Sequence, residues 1–175
     1  MRPAPRKFST EEALYSAALR ALMRRAHSSF QMRTYLEQRA DQPEAAGRVL
    51  ARLKREKLID DWRYALEFAR SRAHSRRQGP HRIARELRAR GIADRHVEAA
   101  VTSIFAEIDE AALVRKLIER RMRSRKGPLD QRKTASLYRT LLRAGFDSKL
   151  IYREIHTARQ GEADEISDAV PHEEQ

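Results

Sequence analysis

The chain has 175 residues with a formal charge of +12; 41% are hydrophobic and 35% charged, with 6 Gly, 6 Pro and no Cys. The missing cysteine excludes disulfides, thiolate chemistry and cysteine zinc sites, and a composition rich in Ala, Leu, Arg and Glu without alternating apolar runs points to an all-α protein. No stretch approaches the roughly 20 apolar residues of a membrane span, and MRPAPRKFS lacks a signal-peptide core, so a cytoplasmic chain is expected.

Residues 1–8, with their Pro and Arg, read as disordered. Ser9 and Glu12 have capping-box spacing, and Leu14, Ala17, Ala18, Ala21 and Leu22 follow as an apolar stripe. Ser28 and Gln31 repeat that spacing ahead of Met32 and Leu36, and Gln42-Pro43-Glu44 opens a helix carrying Val49, Leu50 and Leu53. These form a first three-helix unit over residues 9–59.

A second unit covers 60–108. Asp60 and Asp61 are placed to cap a helix that turns Trp62, Ala65, Leu66, Ala69 and Ala73 inward, with Arg63, Glu67, Arg70 and His74 opposite. Gly79-Pro80 ends that run and starts another, in which Ile83 and Leu87 point inward and Arg82, Arg85 and Arg88 outward. Gly91 sits where a left-handed C-cap is wanted, and Asp94 is placed to cap a helix burying Val97, Ala100 and Val101. The third unit, 109–160, has Leu113, Leu117 and Met122 as its first stripe. Residues 161–175 hold six acids and no Lys or Arg, and read as a disordered acidic tail.

The units are related. Leu137 and Leu141 match Ile83 and Leu87 at an offset of 54, as do Gly145-Phe146 with Gly91-Ile92 and Ile151 with Val97, while Gly127-Pro128 matches Gly79-Pro80 at 48. Met32 and Leu36 match the same apolar pair at 51. The expected fold is three tandem three-helix repeats in an elongated, curved array, with a compact nine-helix globule as the competing arrangement.

From Arg63 to Arg95 there are ten Arg against Glu67, Glu86 and Asp94. Such a field attracts polyanions, nucleic acid first and an acidic protein face second. The basic face is assigned to Arg70, Arg72, Arg76, Arg77, Arg82, Arg85, Arg88 and Arg90. No catalytic constellation is visible: the histidines form no i, i+4 pair and read as surface residues, no phosphate-loop motif occurs, and Asp60-Asp61 reads as a cap and not a metal site. No enzyme activity, cofactor or metal is expected.

Asp60-Asp61, Tyr64-Ala65, Phe68, Ser71-Arg72, Gly79-Pro80, Ile83, Glu86-Leu87, Gly91-Ile92 and Val97 resemble the central pattern of the RecX family, bacterial regulators of the RecA recombinase. Arg25, His27-Ser28, Leu36 and Leu58-Ile59 match in the first unit, and Gly145-Phe146 with Ile151 in the third, so the likeness runs from about 13 to 158. Two departures stand in the first unit: Gln31 where an acid is frequent, and Ala40 where a Gly is usual. The resemblance implies an extended, curved protein of three tandem repeats that lies in the groove of the RecA filament on single-stranded DNA and modulates, usually suppresses, ATP hydrolysis, strand exchange and SOS co-protease activity; a monomer is expected. Two alternatives stay open: an autonomous nucleic-acid-binding module, and a scaffold for an acidic protein.

Overall fold

The computed structural model describes residues 6–123 and 130–168, the stretch 161–168 as backbone only. Among them the chain forms nine α-helices: α1 (Glu11–Arg24), α2 (Ser29–Glu37), α3 (Pro43–Arg55), α4 (Asp61–Arg76), α5 (Pro80–Arg88), α6 (Asp94–Ala106), α7 (Glu110–Arg123), α8 (Gln131–Ala144) and α9 (Ser148–Asp168). The all-α fold of successive helix triplets is therefore present. The Gly127-Pro128 turn lies outside the described residues. Helix α9 runs beyond Gln160, the boundary set by composition, and ends at Asp168.

Local chemistry sets the helix starts. Thr10, and not Ser9, caps α1, its side chain accepting from the Ala13 N–H. Ser28 and Gln31 form the expected capping box of α2, and Pro43 opens α3. Asp60 caps α4 through the Arg63 N–H at 3.0 Å. Asp61, instead of sharing that task, accepts the Ser29 N–H at 2.7 Å and so serves the N-terminus of α2. Asp94 is the first residue of α6 and not its cap; its carboxylate pairs with Arg88 Nε at 2.6 Å.

The described helices group into two compact units, one drawn from Met1–Arg70 and Ala84–Thr102, the other from Ser71–Ile83 and Ser103–Gln175. Leu14, Ala18, Met32, Leu36, Val49, Leu50, Leu53 and Ile59 make the core of the first. Phe8 packs against that core and is not disordered: its N–H donates to the Arg39 carbonyl at 2.7 Å and its carbonyl accepts from Asp41 at 3.2 Å. Val114, Ile118, Leu137, Leu141, Phe146, Ile151 and Ile155 form the core of the second, with Leu113, Leu117 and Met122 at its edge. Each fully buried Leu or Ile contributes roughly 1.5–3 kcal/mol. Ala65, Ala69 and Ala73 are buried as expected, but Trp62 is 38% exposed, and Ile104 takes the buried place expected for Val101.

Helix ends meet helix ends. In the second unit the Gly79 N–H donates to the Ala144 carbonyl at 2.8 Å and the His81 N–H to the Gly145 carbonyl at 3.1 Å, so the orphan donors opening α5 satisfy the orphan acceptors closing α8. Gly145 has φ +94, and a Cβ on it would meet the Arg82 backbone N at 2.4 Å; one on Gly79 would meet the Gly145 carbonyl at the same distance. In the first unit the other end of α5 makes the equivalent junction: Ser28 Oγ donates to the Arg90 carbonyl at 2.6 Å, and Gly91, at φ +73, lies against Phe30.

Gly79→Ala should lower unfolding free energy in urea by about 2–3 kcal/mol, because the obstructing atoms are backbone. Gly47→Ala, in mid-helix with nothing within 4 Å, should raise it by up to about 1 kcal/mol. Equal effects at the two positions would refute the close-approach account.

Candidate nucleic-acid interface

The arginines singled out by sequence divide between the units, Arg70, Arg85, Arg88 and Arg90 in the first, Arg72, Arg76, Arg77 and Arg82 in the second. Several have structural partners. Arg70 pairs with Glu67 at 2.8 Å and Arg88 with Asp94. Arg82 donates to the Arg143 carbonyl at 3.4 Å. Arg90 lies 4.4 Å over the Phe68 ring and donates to the Glu86 carbonyl, which makes it a packing residue more than an open cation. Arg85 is exposed and makes no ion pair among the described residues.

Arg76 and Arg77 do something different: they join α7 and α8. A groove of about 410 Å³ is lined by Arg76, Arg77, Arg120 and Arg121 over an apolar floor of Leu117, Leu137, Leu141 and Ala144, with Thr140 at its side. Next to it a shallower concavity is lined by Arg77, Lys116, Glu119, Arg120 and Arg123. The one carboxylate there, Glu119, is 3.6 Å from Arg123. Cations near the C-terminal end of α7 complement its dipole, which explains one or two of them; the number assembled around Arg77 and Arg120 exceeds that need.

Arg77 is also held at φ 51, in the left-handed region. Glycine would occupy that position without the roughly 1–2 kcal/mol that a side chain costs there. Lys57, just after α3, is held the same way at φ 57, so what distinguishes Arg77 is the cationic groove that it lines. The α7 cations lie outside the Arg63–Arg95 cluster that charge density picks out; their signal in the sequence is the run Arg120-Arg121-Met122-Arg123.

Groups suited to acid–base chemistry lie elsewhere. Burial pushes the Glu110 carboxyl up, opposed by His81, and backbone N–H groups at the start of α9 hold the Asp147 carboxyl down. His27 is buried, against the expectation of a surface residue; desolvation lowers its pKa, and Nδ1 lies 2.9 Å from the Arg25 carbonyl. Among the described residues no group of three His, Asp or Glu is arranged to hold a metal, and no helix is long and apolar enough to cross a membrane.

Fold and grooves define a class: an all-α protein of three-helix repeats whose developed concave surfaces include cationic ones. Residues 15–53 match the family model "RecX, first three-helix domain" and residues 60–101 "RecX, second three-helix domain". The "Regulatory protein RecX" of Halorhodospira halophila is 39% identical over 138 residues, covering 79% of this chain and 83% of that protein. That of Xanthomonas campestris pv. campestris is 38% identical over 155 residues, covering 85% and 91%. The crystal structure of RecX from Lactobacillus salivarius matches with a TM-score of 0.72 over 84% of this chain and 95% of that one, at 21% identity, a likeness of fold. A second, "Crystal structure of regulatory protein RecX", matches with 0.71 at 26% identity over 84% and 71%. The chain belongs to the RecX family of regulatory proteins.

Arg77→Gly separates the two roles of that position. Urea unfolding should show stability unchanged or raised by up to about 1–2 kcal/mol, while affinity for a single-stranded oligonucleotide falls and the log–log salt slope shrinks by about 0.7. Destabilisation with unchanged binding would remove Arg77 from the interface.

Proposed function

We propose that this chain is a negative modulator of a RecA recombinase, acting on the RecA filament assembled on single-stranded DNA. Membership of the RecX regulatory family supports the target, and the cationic groove around Arg77 and Arg120 supports a polyanionic contact within it. On this reading the protein is a cytoplasmic monomer of three repeats, 9–59, 60–108 and 109–160, that lodges in the filament groove. It contacts DNA phosphates and acidic filament surface through side chains alone, without a cofactor.

The mechanism is steric and electrostatic. Arginine guanidinium groups neutralise phosphates and release counterions. Binding that bridges neighbouring recombinase protomers favours one filament state, and any differential affinity for that state shifts ATP hydrolysis, strand exchange and SOS co-protease activity together. The arginine set, with Arg70, Arg76, Arg77, Arg85 and Arg88 exposed and Arg72 and Arg82 half-buried, supplies the contacts along with Lys116, Arg120 and Arg123. Arg90 belongs to the support of α5.

The deciding experiment titrates the protein into RecA hydrolysing ATP on single-stranded DNA, at two salt concentrations. Inhibition well below one copy per protomer is expected, and Arg77→Glu with Arg120→Glu should raise the midpoint by on the order of tenfold with helicity intact. Inhibition only once the protein coats the DNA would favour the autonomous nucleic-acid-binding module.

A further inference from the structure

A second groove in the same unit has a different character. Helices α8 and α9 enclose about 680 Å³ between Tyr138 and Arg139 on one side and Tyr152, Ile155, His156 and Arg159 on the other. Tyr152 is 69% exposed, the most exposed of the large apolar side chains of this unit. Its ring stacks with that of His156 at 6.3 Å between centroids and 30° between planes. The two stand at i and i+4 on one stripe of α9, and Arg159 extends that stripe by another turn. Among the described side chains no carboxylate lines the groove, and neither Arg139 nor Arg159 is ion-paired.

The platform is held from behind. Ile151 and Ile155 are buried in the core of the unit. Glu154 is buried and accepts from Arg115 Nη1 on α7 and from Arg153 Nε, each at 3.1 Å. That anchoring fixes the rotation of α9 and so leaves Tyr152 facing outward. A tyrosine exposed to this degree gains little from folding, and pairing it with an imidazole inclined at 30° to it sets two aromatic faces beside two anion donors. Flat surface beside cation is the combination that single-stranded nucleic acid recognises, because every unstacked base has a π face and a neighbouring phosphate. An acidic peptide would use the arginines but leave the stacked rings without a role.

We propose that the α8–α9 groove is a base-stacking site for single-stranded nucleic acid, in which an unstacked base lies on Tyr152 and His156 while Arg139 and Arg159 hold the flanking phosphates. This deepens the proposed function and rests on it in one respect, that nucleic acid is among the partners. It adds a contact of a different kind from the α7 groove: the α7 groove reads charge, and this one requires bases.

The test compares two oligomers of equal phosphate number, oligothymidylate and an abasic deoxyribose-phosphate chain, binding to the full protein by fluorescence anisotropy. The wild type should prefer the base-bearing oligomer by about tenfold, a value within the range of one stacked base. Tyr152→Ala should bring that preference close to one, Tyr152→Phe should restore it, and His156→Ala should reduce it in part. A 5-iodouracil-substituted oligomer should photocross-link to Tyr152 or His156. Arg77→Glu should weaken both oligomers alike and leave the preference standing, which separates this site from the α7 groove. Equal affinity of the wild type for both oligomers would overturn the stacking site and leave the phosphate contacts intact. Binding to neither would overturn it together with the premise that nucleic acid is a partner. A preference unchanged in Tyr152→Ala, with binding to oligoglutamate lost, would reassign the groove to an acidic protein and equally overturn the proposal.

Discussion

The structure depends on backbone meeting backbone at helix ends. A helix leaves unpaired donors at its start and unpaired acceptors at its close, and a short helix such as α5 has few residues over which to spread that cost. Here the cost is offset by joining one helix's start to another's finish: Gly79 and His81 at the start of α5 donate to Ala144 and Gly145 at the end of α8. Such an approach leaves no room for a Cβ on either side, and a Cβ on Gly79 or Gly145 would fall 2.4 Å from the facing backbone. At the other end of α5, Ser28 Oγ reaches the Arg90 carbonyl and Gly91 accepts the bulk of Phe30. Both glycines that close a helix in this way have positive φ. They are therefore required twice over, for backbone conformation and for space.

That arrangement frees side chains for other work. Because the orphan groups of α5 are satisfied by backbone partners and a serine, Arg85 need not fold back to cap anything and stays exposed. On α7 the core is met by Val114 and Ile118, so Lys116, Arg120 and Arg123 face away from it and gather around Arg77. Arg77 itself follows the last residue of α4 in a conformation that glycine would adopt at lower cost. Gly91 and Gly145 sit where a positive φ is required, whereas at this position, as at Lys57, the chain has a basic residue instead.

Much of the fold was legible in the sequence because its signals are local. Capping at Ser28 and Gln31, Pro43 at a helix start, buried Ile83 and Leu87, and the left-handed Gly91 and Gly145 each follow from a few neighbouring residues. The failures arose where a distant segment decided. Local spacing makes Asp61 a cap of its own helix, but it serves α2 across 32 residues of sequence. Phe8 looked like part of a loose terminus until the turn after α2 supplied its partners. Trp62 satisfied the helical period yet stayed 38% exposed, because period fixes the direction of a side chain and not what lies there. The α7 groove needed Arg76 and Arg77 to be brought beside Arg120 and Arg121, a proximity that charge counting along the chain does not contain.

Ala40 shows how the repeat logic accounts for an exception to its own pattern. At the end of α2 the family's usual glycine is replaced, and no positive φ occurs there. In the two later triplets the glycine is needed because another triplet's helix start presses against that turn, Gly79 against Gly145 and the Ser28–Phe30 segment against Gly91. At the first triplet's turn no helix start is seated among the described residues. What it receives is Phe8, which pairs with Arg39 and Asp41 in extended form, while Lys7 Nζ donates to the Ala40 carbonyl at 3.0 Å. An extended strand approaches a turn from the side and tolerates a Cβ, whereas a helix start does not. The absent glycine thus follows from the same packing rule that requires the other two.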